Sequence, residues 1–165
     1  MSTQPFASWR TPCPHRPPHH DKNGNSTGGM PDLPVIPALR YFDNLAYIGD
    51  QFVGCFAVYT ADGLLLIDSM FPGPRWEGIL EEGLAALGYQ GRDIRSVLVT
   101  HGHSDHYGCA GYLQAKYGTK VIMSRIDEAF AKDRSLPSPF GYMEFSADGY
   151  LADGEDYTWG GVTIH

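Results

Sequence analysis

The segment "VTHGHSDHYG", Val99 to Gly108, concentrates side chains that bind metal ions. His101 and His103 are two residues apart directly after an apolar run that predicts a strand. In extended chain both imidazoles project to one side, so their nitrogens can share one ion. Asp105 and His106 follow where the chain turns into a helix, which aims them elsewhere and favours a second ion beside the first. The spacing therefore predicts a two-metal centre.

The ligand types narrow the choice of metal. Neutral imidazoles with one carboxylate and no thiolate favour Zn²⁺, and the same set also accepts Fe²⁺ or Mn²⁺. Taken one at a time, a loop histidine is usually a polar surface residue, and Asp105 alone could be a cap for the helix that follows. Four such residues within six, after an apolar strand, favour metal binding instead.

The elements around this segment predict a mixed sheet with helices packed on it, an α/β (α+β) fold. The runs "LAYIGD", "QFVGCFAVYT" and "LLLID" predict a β meander with a hairpin turn at "ADG". A helix is predicted over Trp76 to Leu87, with Gly88 as its left-handed stop, and a buried strand over Ser96 to Thr100. Ligands gather beyond the carboxyl ends of strands in open α/β sheets, so the end of that strand suits a metal centre.

Further elements are predicted downstream of the histidines. They are a helix in "CAGYLQAKYG" ending at Gly118, a strand over Lys120 to Met123, a helix opened by Ser124 with Asp127 three residues on as in a capping box, and a hairpin in "DYTWGGVTIH".

The first 34 residues have a different composition from the remainder of the chain. They hold seven of the twelve prolines and three of the seven histidines, followed by the run "NGNSTGG". Such a segment buries too little apolar surface to offset the entropy of ordering. We therefore predict a disordered Pro/His-rich tail over 1–34 and a folded domain over 38–165.

Charge and cysteine content exclude several classes of protein. A net charge of -7 without any cluster of Lys and Arg argues against nucleic acid as a partner. Cys13, Cys55 and Cys109 form no C-x-x-C pair, which favours a reducing compartment over a disulfide framework. No apolar stretch has the length of a membrane span or the form of a secretory signal, so we expect no membrane association and a cytoplasmic location.

Two stretches resemble a known family. "THGHSDH" matches the H-x-H-x-D-H signature of the metallo-β-lactamase superfamily, and "GLLLIDSM" matches the apolar strand ending in Asp that precedes it. The resemblance runs from about Ala38 to His165 and is nearest to subclass B3. It implies an αββα sandwich, with His101 and His103 as ligands of a first zinc and Asp105 and His106 as ligands of a second. Asp68 would lie behind the ligands, where a carboxylate fixes the tautomer of an imidazole.

The chain also departs from the family pattern. Members supply a further ligand histidine in an H-T-x-G stretch after a strand like "GGVTIH", and another near the end of a second, similar half. These 165 residues contain neither. We therefore expect the chain to correspond to the N-terminal part of the fold. His165 continues a strand by pattern and is predicted to be a sheet residue rather than the missing ligand.

The resemblance implies a zinc-dependent hydrolase. A metal-bound hydroxide oriented by Asp105 would attack an ester, thioester or amide (lactam) bond of a small molecule. The absence of a secretory signal favours a hydrolase of glyoxalase II or esterase type over a secreted lactamase.

Two alternatives stay open at this point. Persulfide dioxygenases share the motif and are mononuclear iron oxidoreductases, and a truncated chain would bind metal poorly and turn over nothing. Half of a fold would also leave sheet surface uncovered, so self-association is expected.

Overall fold

The first four strands form an antiparallel meander built from the apolar runs of the sequence. The computed structural model describes residues 33–135 and 141–165. The strands are β1 (Val35–Phe42), β2 (Leu45–Asp50), β3 (Gly54–Thr60) and β4 (Gly63–Ile67), each antiparallel to the next. The predicted turn closes the third hairpin, where Thr60 pairs with Gly63 and Gly63 takes a positive φ of 119°.

Three parallel strands extend the meander into a seven-stranded mixed sheet. They are β5 (Ile94–Leu98), β6 (Lys120–Met123) and β7 (Gly149–Tyr150), and the strand order across the sheet follows the chain. The helices are α1 (Pro74–Ala86), α2 (Ser104–Tyr107), α3 (Ala110–Tyr117) and α4 (Arg125–Lys132). A separate hairpin pairs β8 (Tyr157–Trp159) with β9 (Val162–Ile164).

The predicted α/β fold class is confirmed, and the predicted elements are present with shifted ends. The strand predicted over Ser96 to Thr100 is β5, which begins at Ile94 and ends at Leu98. The strands β1 and β7 were not predicted, and β1 begins ahead of Ala38. The predicted tail lies almost entirely outside the described residues. No helix in the described part of the chain combines the length and the apolar character that crossing a membrane requires.

The core lies between the sheet and α1. This helix turns Trp76, Ile79, Leu80 and Leu84 toward the sheet, and all four are buried. A Cβ on Gly83 would lie 2.4 Å from Cγ2 of Ile48, so glycine is what lets α1 approach β2 so closely. Burying a side chain such as Leu80 stabilises the fold by roughly 1.5–3 kcal/mol.

The opposite face of the sheet is only partly covered. The β8–β9 hairpin approaches it where the Tyr157 hydroxyl lies 3.3 Å from that of Ser96 and Ala61 N donates to Gly160 O at 3.0 Å. Toward the β1 edge, apolar side chains remain in contact with solvent. We call this group the aromatic patch; its members are Leu39, Tyr41, Tyr47 and Phe56.

Candidate metal centre

The ends of two parallel strands position the site. Ile67 of β4 pairs with Leu98 of β5, and the pairing continues one step as Asp68 N donates to Leu98 O at 2.9 Å. The residues that follow, Asp68 on one chain segment and Thr100 on the other, therefore leave the sheet side by side. This is the strand edge at which the sequence predicts a centre.

Backbone hydrogen bonds lock the segment after β4 to the segment that carries the motif. Ser69 N donates to His106 O at 2.7 Å, and Cys109 N donates to Ser69 O at 3.1 Å. Gly108 N donates to Met70 O at 2.8 Å. A Cβ on Gly108 would lie 2.1 Å from the carbonyl carbon of Phe71, so only glycine permits this approach. The two segments are thus held as one unit.

Two residues of this unit have left-handed backbone conformations. Asp68 has a φ of 62° and Met70 a φ of 59°. Aspartate tolerates this region comparatively well, whereas methionine rarely adopts it, and each such residue costs of order 1–3 kcal/mol. Met70 is fully buried, so packing holds its conformation. The strain lies directly beside the predicted ligands.

The four predicted ligands lie together beyond β5. The Nε2 atom of His101 is 2.9 Å from the Nδ1 atom of His103, and the ring centres of His101 and His106 are 3.7 Å apart. Asp105 Oδ2 lies 3.6 Å from His106 Nε2. The rings therefore share one side of the strand end, as the spacing predicts, while their role as ligands stays a prediction.

Asp68 lies behind this group and contacts it directly. Its Oδ2 accepts a hydrogen bond from Nδ1 of His106 at 2.8 Å, and its Oδ1 accepts from Thr100 N at 2.8 Å. The Thr100 hydroxyl lies within 3.1 Å of both Asp68 oxygens and of His106 Nδ1. Sequence reasoning missed Thr100, although its position between the strand and His101 was a signal that could have marked it.

These contacts set the tautomer of His106. A carboxylate can only accept, so the proton of His106 is on Nδ1 and its Nε2 presents a lone pair. In the neutral ring, Nε2 and the Asp105 oxygen, 3.6 Å apart, are then both acceptors. Two acceptors at that distance suit a cation, and the imidazole and carboxylate donor set fits zinc.

The His101 and His103 pair needs a small adjustment to bind an ion. Two nitrogens that share a zinc ion, each about 2.0–2.1 Å from it, lie roughly 3.3 Å apart in tetrahedral geometry. The observed separation of 2.9 Å is that of a hydrogen bond, so the proton between the two nitrogens must move to another ring nitrogen and the rings must separate by a few tenths of an ångström. As they stand, no three His, Cys, Asp or Glu side chains within 33–135 and 141–165 have the arrangement of a formed metal site.

The surroundings of His101 favour its neutral form, which is the form that binds a metal ion. Partial burial, with the neighbouring His106 and His103 rings adding to it, lowers the pKa of His101 below its ordinary value. A neutral imidazole is the form that binds metals. The two cysteines of the described residues are thiols rather than thiolates, because burial raises the pKa of Cys55 to about 12 and that of Cys109 well above its usual range.

His165 and Asp127 have contacts that the sequence did not predict. His165 directly follows β9, is largely exposed, and its Nδ1 lies 2.9 Å from an Asp156 carboxylate oxygen, so its visible partner is this carboxylate. Asp127 has a second contact that the capping-box pattern did not predict: its Oδ1 accepts from Gly102 N, between the two histidines, at 2.9 Å.

Comparison with known proteins identifies the fold. The family model described as the metallo-beta-lactamase superfamily matches residues 48–164. Among solved structures, BJP-1, a subclass B3 metallo-beta-lactamase of Bradyrhizobium japonicum, is 24% identical with a TM-score of 0.69, over 79% of this chain and 50% of that chain. A beta-lactamase from Chitinophaga pinensis is 26% identical with a TM-score of 0.69, over 81% of this chain and 55% of that one.

A third structure, the metallo-beta-lactamase GOB-18 from Elizabethkingia meningoseptica, is 21% identical with a TM-score of 0.71, over 82% of this chain and 52% of that chain. The present chain therefore spans about half the length of these neighbours, an extent that fits the expected N-terminal half of the fold. With the family model matched from β2 to β9, the chain belongs to the metallo-beta-lactamase superfamily.

Proposed function

We propose that this chain carries part of the metal centre of a zinc-dependent hydrolase that acts on an ester, thioester or amide (lactam) bond of a small molecule. The observation that carries the proposal is the approach of His101 Nε2 to His103 Nδ1 at 2.9 Å, with the His106 ring against that of His101. The structural neighbours are beta-lactamases by name, which supports hydrolysis as the reaction class.

Each side chain has a separate task in this proposal. His101 and His103 would hold one zinc ion, and Asp105 and His106 a second. Asp68 and Thr100 orient the His106 ring through its Nδ1 proton. Zinc, when bound, supplies a Lewis acid that polarises the scissile bond and lowers the pKa of water. Asp105, whose carboxylate is one-third exposed, would orient the attacking water through one of its oxygens.

The number of ligands limits what this chain is expected to do by itself. It provides two predicted ligands for each ion, whereas a catalytic zinc site usually has three protein ligands. We therefore expect weak zinc binding and little or no turnover by the 165-residue chain. Fe²⁺ and Mn²⁺ suit the same donors, and no contact in the site favours the iron oxidoreductase alternative over the hydrolase.

Metal titration of the purified chain tests the proposal. After chelation, zinc and, without oxygen, Fe²⁺ are titrated calorimetrically into the parent, His103→Ala and His165→Ala chains. We expect zinc binding by the parent, loss of at least one ion in His103→Ala, and unchanged binding in His165→Ala. Assays with a chromogenic β-lactam and a thioester at matched zinc accompany the titration.

A parent chain that binds no zinc, or that binds it equally well after His103→Ala, would contradict the proposed centre. Preferential binding of Fe²⁺ with oxygen consumption on a persulfide thiol would favour the oxidoreductase.

A further inference from the structure

Helix α4 contacts the residue between the two histidines of the motif. Gly102 is buried, and its amide N–H points to the first turn of α4, where Asp127 Oδ1 accepts it at 2.9 Å. The two residues are 25 positions apart in the chain. The helix that follows β6 thereby reaches the loop that follows β5.

Ser124 holds the Asp127 carboxylate in place. The Ser124 hydroxyl lies 2.5 Å from Asp127 Oδ2, and the same hydroxyl accepts from Asp127 N at 3.0 Å as the N-cap of α4. One carboxylate oxygen is thus bound to the cap, which leaves the other for Gly102. In a capping box the acidic side chain returns to its own N-cap amide. Here it is directed to a distant loop instead.

Close packing also holds the backbone of Gly102 against α4. A Cβ on Gly102 would lie 2.4 Å from Asp127 O and 3.2 Å from Ala131 N, which are backbone atoms of α4 that cannot move aside cheaply. The His103 ring meets the Phe130 ring edge-on, with centres 5.0 Å apart. Residues 102 and 103 of the motif therefore lie directly against one side of α4.

We propose that Asp127 is a positioning residue for the metal centre: by accepting the Gly102 N–H, it fixes the backbone so that the His101 and His103 rings converge. Without this acceptor, the buried Gly102 N–H would lack its partner, and that segment would rotate toward water. The consequence for metal binding rests on the proposed function. The consequence for the rings does not, because it concerns the metal-free chain.

Four variants separate positioning from helix capping. Asp127→Ala removes the acceptor, and Asp127→Ser keeps a small polar group at this position that is too short to reach Gly102 N. Asp127→Asn keeps an acceptor oxygen of the same length. Glu128→Ala is the matched control, because it removes the same charge from the next residue of the same helix, whose carboxylate contacts Tyr150 and Lys132 instead.

The first measurement follows the rings of the chelated chain by ¹⁵N–¹H correlation NMR of the imidazole nitrogens. We expect the His101 and His103 signals to move in Asp127→Ala and Asp127→Ser and to stay near their parent positions in Asp127→Asn and Glu128→Ala. The second measurement is zinc affinity by competition with a chromophoric chelator. It should fall about 10- to 100-fold in the first two variants and recover in Asp127→Asn.

The two measurements test different claims, so their contradicting outcomes can be told apart. Unchanged ring signals in both Asp127→Ala and Asp127→Ser would overturn the positioning role, whatever the zinc affinity. A shift of the same size in Glu128→Ala would also overturn it, since the effect would then belong to α4 in general. A parent chain that binds no zinc would contradict the proposed function, and the ring signals would still decide the role of Asp127.

Discussion

A single carboxylate determines which nitrogen of His106 is available to a ligand. Asp68 Oδ2 accepts the Nδ1 proton, and Thr100 lies against both groups. The Nε2 lone pair therefore faces Asp105 rather than the protein interior. Asp68 has this place because β4 ends one residue before it, in a left-handed conformation that aspartate tolerates.

Replacing Asp68 with asparagine should weaken zinc binding by about 10- to 100-fold. Asparagine keeps the size and the tolerance of a positive φ, but it has only one acceptor oxygen for Thr100 N and His106 Nδ1. One of the two contacts is therefore lost. Competition with a chromophoric chelator measures the affinity, and Asp43→Asn, in the exposed β1–β2 turn, controls for the lost charge. Parent-like affinity in Asp68→Asn would show that Asp68 is only a turn residue.

The proximity of His101 and His103 could be predicted because their spacing is local. Two positions along an extended chain are enough to bring His101 and His103 to one side. Thr100 and Asp127 escaped prediction for a different reason: their partners are 32 and 25 residues away, so their roles depend on how strands and helices meet. The Ser124 cap was predicted, but the direction taken by the Asp127 carboxylate was not.

At the level of elements, Glu128 connects α4 to the segment that contains β7. Its Oε2 accepts from the Tyr150 hydroxyl at 2.7 Å, and its Oε1 accepts from Lys132 Nζ at 2.7 Å and from Ala147 N at 3.1 Å. The Lys132 and Tyr150 hydrogen bonds lower the pKa of Glu128 to about 2. Strand β7 has only two residues, so these side-chain contacts help to hold it in the sheet.

This network should make stability depend on pH in acid. An unfolded glutamate has a pKa of about 4.3, so above that pH both states are ionised and the contribution of Glu128 is fully present. As the pH falls from about 4.3 toward about 2, the unfolded state takes up the proton first and the contribution is lost. Glu128→Gln should therefore be less stable than the parent at pH 7, and the gap should narrow toward pH 2.

Urea unfolding between pH 7 and pH 2.5 measures the two free energies of unfolding. Glu82→Gln, which removes the same charge from an exposed position of α1, should leave stability at pH 7 unchanged. A gap between parent and Glu128→Gln that stays constant across this range would contradict the assigned cause.

The elements that sequence patterns predicted are those whose apolar residues recur over several turns or along a full strand, such as α1 and β4. The strands β1 and β7 were missed for physical reasons. Val35–Phe42 includes a proline and pairs with β2 through shifted registers, and its burial alternates only over its first five residues. The two residues of β7 are too few to show any period, and only their pairing with Ile122 and Met123 defines them.

The whole molecule presents one sheet face with solvent-exposed apolar side chains. Tyr47 and Phe56 are partners in the β2–β3 register, while the next pair, Ile48 and Cys55, is buried beneath the helices. The aromatic patch includes Leu39 and Tyr41 of β1, which forms one edge of the sheet. An apolar patch that includes an edge strand of the described sheet favours association between chains.

We expect the chain to self-associate at high concentration and Phe56→Thr to reduce this association. Threonine keeps strand propensity while removing a side chain that is more than one-third exposed. Light scattering after size-exclusion chromatography measures the mass, and Ile126→Thr, an exposed apolar residue of α4, serves as the control. Equal masses for the parent and Phe56→Thr at every concentration would exclude the patch as the contact.

The backbone hydrogen bonds between the segment after β4 and the motif segment bear on whether the chain folds before it binds a metal ion. In small zinc-binding domains the ion supplies the folding free energy, so that the chain without metal is a disordered polymer. Here three inter-segment amide hydrogen bonds and the close approach at Gly108 fix the backbone that carries the predicted ligands through contacts within the protein. An arriving metal would meet a backbone that is already arranged, and only the side chains would have to adjust. Little conformational entropy would then be lost on capture, and the ion could be exchanged while the domain stays folded.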